Sequence, residues 1–176
     1  MMMKTIQRAA TATIAGGIAA GSLLLAGGTA SAMPSDEPCG VSDVHITVTP
    51  EAAHAAGQEA YLITYTAAAP TTNCRLDGVP TGLSFVSGGQ NNASDTTVTP
   101  DAPGAVPVPV NLTAGHPAES RILQDAAAPV TFLPDALNLN LPTGPDGSST
   151  TVAWPAGAPL KGTTARVTAV APADAS

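Results

Sequence analysis

The sequence predicts an all-β fold: an immunoglobulin-like antiparallel β-sandwich with one disulfide, preceded by a cleavable helical signal peptide. Three observations carry this expectation. From Asp43 onward apolar residues recur at every second position and not at 3.6, in short runs cut by Gly and Pro. Cys39 and Cys74 are the only cysteines. The chain also opens on a basic leader, an uncharged Ala/Gly/Leu run and a group of small residues.

The leader comes first. Lys4 and Arg8 precede an uncharged segment, residues 9–26, centred on Leu23-Leu24-Leu25, and Thr29-Ala30-Ser31-Ala32 follows. Ala30 and Ala32 are the small residues a signal peptidase reads, so cleavage is predicted after Ala32. A membrane anchor is the alternative, but the run is rich in Gly and falls short of the roughly 20 strongly apolar residues a span needs. Arg8 stands alone, without a twin-arginine pair. Gly28 stands where a lipid-attachment box needs a cysteine, so a released protein is expected with no stable membrane anchor. The predicted organisation is residues 1–32 signal peptide, 33–38 linker, 39–171 β-domain and 172–176 tail.

Removing 32 of the 176 residues leaves 144, one domain's worth. Cleavage removes Lys4 and Arg8 but no acid, so the formal charge moves from −7 to −9. Such a chain repels phosphates and anionic membrane surfaces, which excludes nucleic acid as a partner class. Only 11% of residues are charged, and the Val, Leu and Ile content suffices for a core, so a disordered chain is not expected. In an oxidising compartment the two cysteines read as a disulfide closing about 35 residues, worth about 4 kcal/mol on the chain-entropy model. A metal pair or a redox site is the alternative. It lacks neighbouring Cys or His ligands and a Cys-x-x-Cys motif.

The strands follow in order. Val44, Ile46 and Val48 alternate with polar residues until Pro50, which is expected to stop the run. Tyr61, Ile63 and Tyr65 face one way and Leu62, Thr64 and Thr66 the other, the pattern of an interior strand. Cys74 and Leu76 share a face. Gly78 permits a positive φ and Pro80 fixes its own near −65°, so together they form a corner that turns the chain between sheets and sets Phe85 inside. Residues 88–95 read as a turn, and Thr96 to Thr99 as a short strand closed by Pro100. Val106, Val108 and Val110 alternate with Pro107 and Pro109, which limits that segment to an edge or a pre-strand. Further strands are expected from Ala118 to Leu123, through Leu137, Leu139 and Leu141, from Ser149 to Trp154, and from Arg166 to Val170.

Gly57-Gln58, Tyr61-Leu62-Ile63-Thr64-Tyr65-Thr66, Cys74-Arg75-Leu76-Asp77-Gly78-Val79-Pro80 and Leu83-Ser84-Phe85-Val86 carry a family resemblance. With Val110-Asn111-Leu112-Thr113-Ala114-Gly115, they are similar to the secreted and lipid-anchored actinobacterial family called domain of unknown function 4232. The resemblance spans most of Cys39 to Leu141, and the Cys-x-Leu-x-Gly-x-Pro core is its most specific part. It implies a β-sandwich outside the cytoplasm and supplies no activity, cofactor or catalytic residue. Two departures stand out: Ala67 replaces an Asn usual in the family, and Phe132-Leu133-Pro134 lacks a thiol where many members have a second cysteine pair.

No catalytic set is visible. His45, His54 and His116 form no zinc pattern, and Met33 is the only methionine beyond the leader, so no metal or cofactor is expected. Ser84 and Ser87 lie outside any nucleophile elbow. The expected function is therefore that of a secreted, non-catalytic domain, a monomer that binds a protein or a cell-wall glycan. A protease inhibitor presenting residues 88–95 or 142–147 is one alternative. A carbohydrate-binding module stacking sugars on an exposed Trp154 is another. A hydrolase would need His116, Asp95 and Asp135 to converge, since they are its only acid-base candidates.

Overall fold

Side-chain alternation becomes ladder. A computed structural model of the chain describes residues 35–51, 55–91, 95–144 and 147–173, all inside the unit Ala32–Ser176. The expected leader, its cleavage site at Ala30 and Ala32, and the end of the tail lie outside the described residues. In β1 (Val44–Glu51) Val44 and Val48 are buried, and β2 (Gln58–Ala67) buries Tyr61, Ile63 and Tyr65 against them. The two strands pair antiparallel from Val44↔Ala67 to Glu51↔Ala60. Pro50 does not stop β1; it sits opposite Tyr61. That is tolerable because β1 is an edge strand, where a missing N–H need not break a ladder.

Next come β3 (Asn73–Leu76), β4 (Thr81–Ser87), β5 (Gln90–Asn91), β6 (Thr97–Pro100), β7 (Val110–Thr113) and β8 (Ala118–Asp125). The rest are β9 (Val130–Phe132), β10 (Ala136–Asn140), β11 (Ser149–Ala153), β12 (Leu160–Lys161), β13 (Thr164–Val167) and β14 (Ala171–Pro172). The largest sheet runs β1-β2-β8-β13-β6, with β14 also on β8. A second sheet runs β11-β10-β4-β5, and β12-β9 and β3-β7 are two-stranded. The chain is all-β with one disulfide, Cys39–Cys74.

Antiparallel pairing dominates, yet β13 lies parallel to β6, from Thr164↔Thr97 to Val167↔Pro100. A wholly antiparallel arrangement is thus corrected at this border. As with Pro50, Pro100 is part of a strand that edges its sheet.

One hydrophobic cluster takes side chains from both large sheets. Its centre is aromatic. The Trp154 ring lies 4.3 Å from Tyr61 of β2 and 5.2 Å, edge-on, from Phe85 of β4, and Phe85 meets Phe132 at 6.3 Å. The Trp154 indole N–H donates to the Ala158 carbonyl at 2.9 Å, so the ring is buried without an unmet donor.

The central strand β8 buries Glu119, Ser120 and Gln124 as well as Ile122 and Leu123. One of these polar groups, Glu119, is held by an ion pair. Arg121 Nη1 lies 2.7 Å from Glu119, and Arg121 Nε donates to Glu51 of β1 at 3.1 Å. The Gln124 amide donates to Glu59 at 3.0 Å and accepts from the Lys161 backbone N–H at 3.0 Å, which clamps β12 over β2 and β8.

Candidate functional site

Construction of the site begins at the disulfide. Cys39 and Cys74 are both buried, and the Cys39 N–H donates to the Arg75 carbonyl at 3.0 Å, so the N-terminal arm is fixed to β3. Within β3, Cys74 and Leu76 point into the core, paired with Leu112 and Val110 of β7. Gly78 then takes φ 97°, open to glycine but strained for other residues. Pro80 and Phe85 are fully buried. The chain passes from the β3-β7 sheet to the sheet containing β4 within this corner.

Val79, between Gly78 and Pro80, packs on the core and also lines an apolar groove of about 380 Å3. Opposite it, Thr168 to Pro172 form one wall, fixed by the Val170 N–H donating to the Gly78 carbonyl at 2.8 Å. Segment 101–108 forms the other wall. That segment is held at its start by an Asp101–Arg166 ion pair and an Asp101 N–H bond to Val167 O of 2.8 Å. Gly104 turns it with φ 84°, and the Ala105 N–H closes on Ala102 O at 3.2 Å. At its far end Val110 enters β7 opposite Leu76.

Between those fixed ends, residues 105–109 belong to no strand. The predicted edge or pre-strand of Val106, Val108 and Val110 is realised only at Val110. Pro107 and Pro109 have no N–H to donate, so the β3-β7 ladder ends there. Val106 is 90% and Val108 75% exposed, the two most exposed large apolar side chains among the described residues. Neither valine's backbone is hydrogen-bonded to another described residue.

The acid-base candidates occupy other places. His116 is exposed on the turn between β7 and β8, its Nδ1 3.0 Å from the Thr113 hydroxyl. Asp135 is exposed before β10, and its carboxylate accepts the Gly88 N–H at 2.7 Å at the β4-β5 turn. Their hydrogen-bond partners belong to different sheets, and neither residue is hydrogen-bonded to the other. Asp95 is exposed just before β6. Among the described residues, no three of His, Cys, Asp and Glu are placed to hold a metal ion. No described helix is long and apolar enough to cross a membrane.

Two other expectations change. Trp154 is buried, so it is no platform for a sugar. Gly88-Gly89 is the two-residue turn between Ser87 and Gln90, too tight to present an extended reactive segment, while residues 92–94 lie outside the described set. In the other suggested loop, Pro142 is fully buried and its carbonyl accepts the Asp77 N–H, so that end belongs to the core. Sequence reasoning had noticed Val106 and Val108 as strand candidates and missed them as a surface. The signal was present: prolines at alternate positions remove the ladder that would have buried the valines.

Comparison with curated proteins finds no match. Comparison with solved structures likewise finds none. A family model does match, over residues 39–171, from the disulfide-bonded Cys39 through the groove wall at Ala171. The chain belongs to the family described as Domain of unknown function (DUF4232).

Proposed function

We propose that this is an exported, non-catalytic, immunoglobulin-like β-sandwich domain of a monomeric protein that binds another protein through the surface formed by residues 101–109 and the adjoining groove. The observation that carries the reading is the exposure of Val106 and Val108 on a segment fixed at both ends. An aliphatic pair held in water by a folded framework costs little ordering entropy when a partner covers it. Export rests on the leader, and the sandwich on two large sheets sharing one core. An acidic surface supports a protein partner over nucleic acid or an anionic membrane.

A protein is favoured over a cell-wall glycan by the aromatic residues. Glycan sites stack sugars on exposed rings, whereas Tyr61, Tyr65, Phe85 and Trp154 are buried and Phe132 is half-buried against Phe85. The hydrolase reading has only His116, Asp95 and Asp135 to draw on.

A photo-crosslinking residue at position 106, exposed to the secreted and envelope proteins of the source cell, tests the proposal. The expected result is a discrete adduct that is absent when the same residue replaces Thr47 on β1, and lost with Val108→Asp. Equal labelling from both positions, or labelling indifferent to Val108→Asp, overturns it.

A further inference from the structure

We infer that residues 105–109 are a substrate-like inhibitory segment for a serine protease whose specificity pocket takes a small aliphatic side chain, with Val108 as the residue in that pocket. This rests on the protein-binding reading above and names the class of partner. Such enzymes hold their substrates as an added antiparallel strand. They use the backbone of the residue in the pocket and of the residue two before it, groups that lie along one edge because strand geometry repeats every second residue. Val108 and Val106 have that spacing, and neither backbone is hydrogen-bonded to another described residue. Pro107 and Pro109 have no N–H, so the opposite edge cannot form a competing ladder.

Side-chain chemistry selects the protease. Residues 104–109, Gly-Ala-Val-Pro-Val-Pro, contain no cation for an acidic pocket and no aromatic ring for a deep hydrophobic slot. Valine suits the shallow pocket of an elastase-type enzyme. Val108, 75% exposed, can enter it without leaving a core.

The same segment resists turnover. Acylation would join the protease serine Oγ to the Val108 carbonyl carbon and break the Val108–Pro109 bond, with the catalytic histidine passing the serine's proton to the Pro109 nitrogen. That nitrogen is part of a rigid ring, which crowds the leaving-group side of the site. It also cannot diffuse away. Val110 is paired in β7 with Leu76, and upstream Pro100 is paired with Val167, so both new ends stay in place and the amide re-forms in preference to attack by water.

Pancreatic elastase acting on a small chromogenic anilide provides the test, with trypsin alongside. The full exported chain is expected to inhibit elastase competitively and leave trypsin untouched. Val108→Arg should weaken elastase inhibition about 100-fold or more and create trypsin inhibition, with an unchanged melting temperature. Pro109→Ala, which keeps the tethered ends but loses the ring, should be cut after residue 108 faster than the unaltered chain, as read by mass spectrometry. Three results each overturn the inference: no elastase inhibition at micromolar protein, inhibition unaffected by Val108→Arg, or rapid cleavage of the unaltered chain after Val108. If position 106 still crosslinks to a partner while elastase is not inhibited, the protease inference alone falls. If both fail, the binding reading falls with it.

Discussion

Gly78-Val79-Pro80 and Gly104-Ala105-Val106-Pro107 are similar in composition and opposite in fate. Both place a left-handed glycine shortly before a valine and a proline. In the first, Pro80 is fully buried and Val79 packs on the core. In the second, Val106 stands 90% exposed. The difference lies in what precedes each glycine. Before Gly78 come a disulfide, a strand pair with β7 and the buried Leu76. Before Gly104 come only the end of an edge strand and an ion pair at Asp101. A Gly/Pro corner has no inherent inside; the covalent and ladder constraints upstream decide which way its apolar residue faces.

Mutations at the two corners should therefore separate stability from binding. The largest effect is expected from Phe85→Ala, just beyond the first corner, because it empties the centre of the aromatic cluster. A loss of about 3–5 kcal/mol is expected in urea unfolding. Replacing both cysteines, Cys39→Ala with Cys74→Ala, should cost about 4 kcal/mol and lower the melting temperature without abolishing the binding proposed for residues 101–109. An unchanged melting temperature would refute the anchoring role of the disulfide.

An alkaline titration probes the same core. Burial pushes the Tyr65 phenol well above its ordinary value. The unfolded phenol ionises near pH 10, while the folded one stays neutral, so the contribution is complete below about pH 10 and is lost as the pH rises further. Tyr65→Phe should flatten the fall in melting temperature between pH 9 and 11; an unaltered slope would place the titrating group elsewhere.

A smaller effect is expected at Glu59. The hydrogen bond from Lys161 holds its carboxyl below the usual range, so its contribution is present near neutrality and lost as the pH falls through the lowered value. Glu59 is 40% exposed, hence Lys161→Met should cost under about 1 kcal/mol and weaken the acid dependence. Least of all, Val106→Ser with Val108→Ser should leave urea unfolding within about 0.5 kcal/mol of the original, since neither side chain contributes to the core.

How much of this was legible depended on how local the signal was. Strand β2 could be read directly, because Tyr61, Ile63 and Tyr65 alternate without interruption. So could the shared face of Cys74 and Leu76. Strand β8 was read only to Leu123, since Gln124 looks like an exposed residue; it is buried because Glu59 and Lys161, distant in sequence, satisfy its amide. The short partners β9 and β12 have too few residues for any period to show. The parallel pairing of β13 with β6 depends on where two remote segments meet, which alternation does not encode. Pro50 and Pro100 were read as strand ends because their missing N–H is a local fact, whereas an edge position is a property of the whole sheet. The valine surface was half legible: the prolines forecast the missing ladder, and only the packed neighbours could show which side chains were left in water.

Those two prolines have a further consequence. They sit in β1 and β6, the strands that border the largest sheet. An open border is where one copy of a β-protein can recruit another and start a fibril. Pro50 and Pro100 each deny an incoming strand a donor and interrupt the flat template it would need. Extension of the large sheet is thereby hindered at both ends, even though the nearby Val106 and Val108 stay exposed.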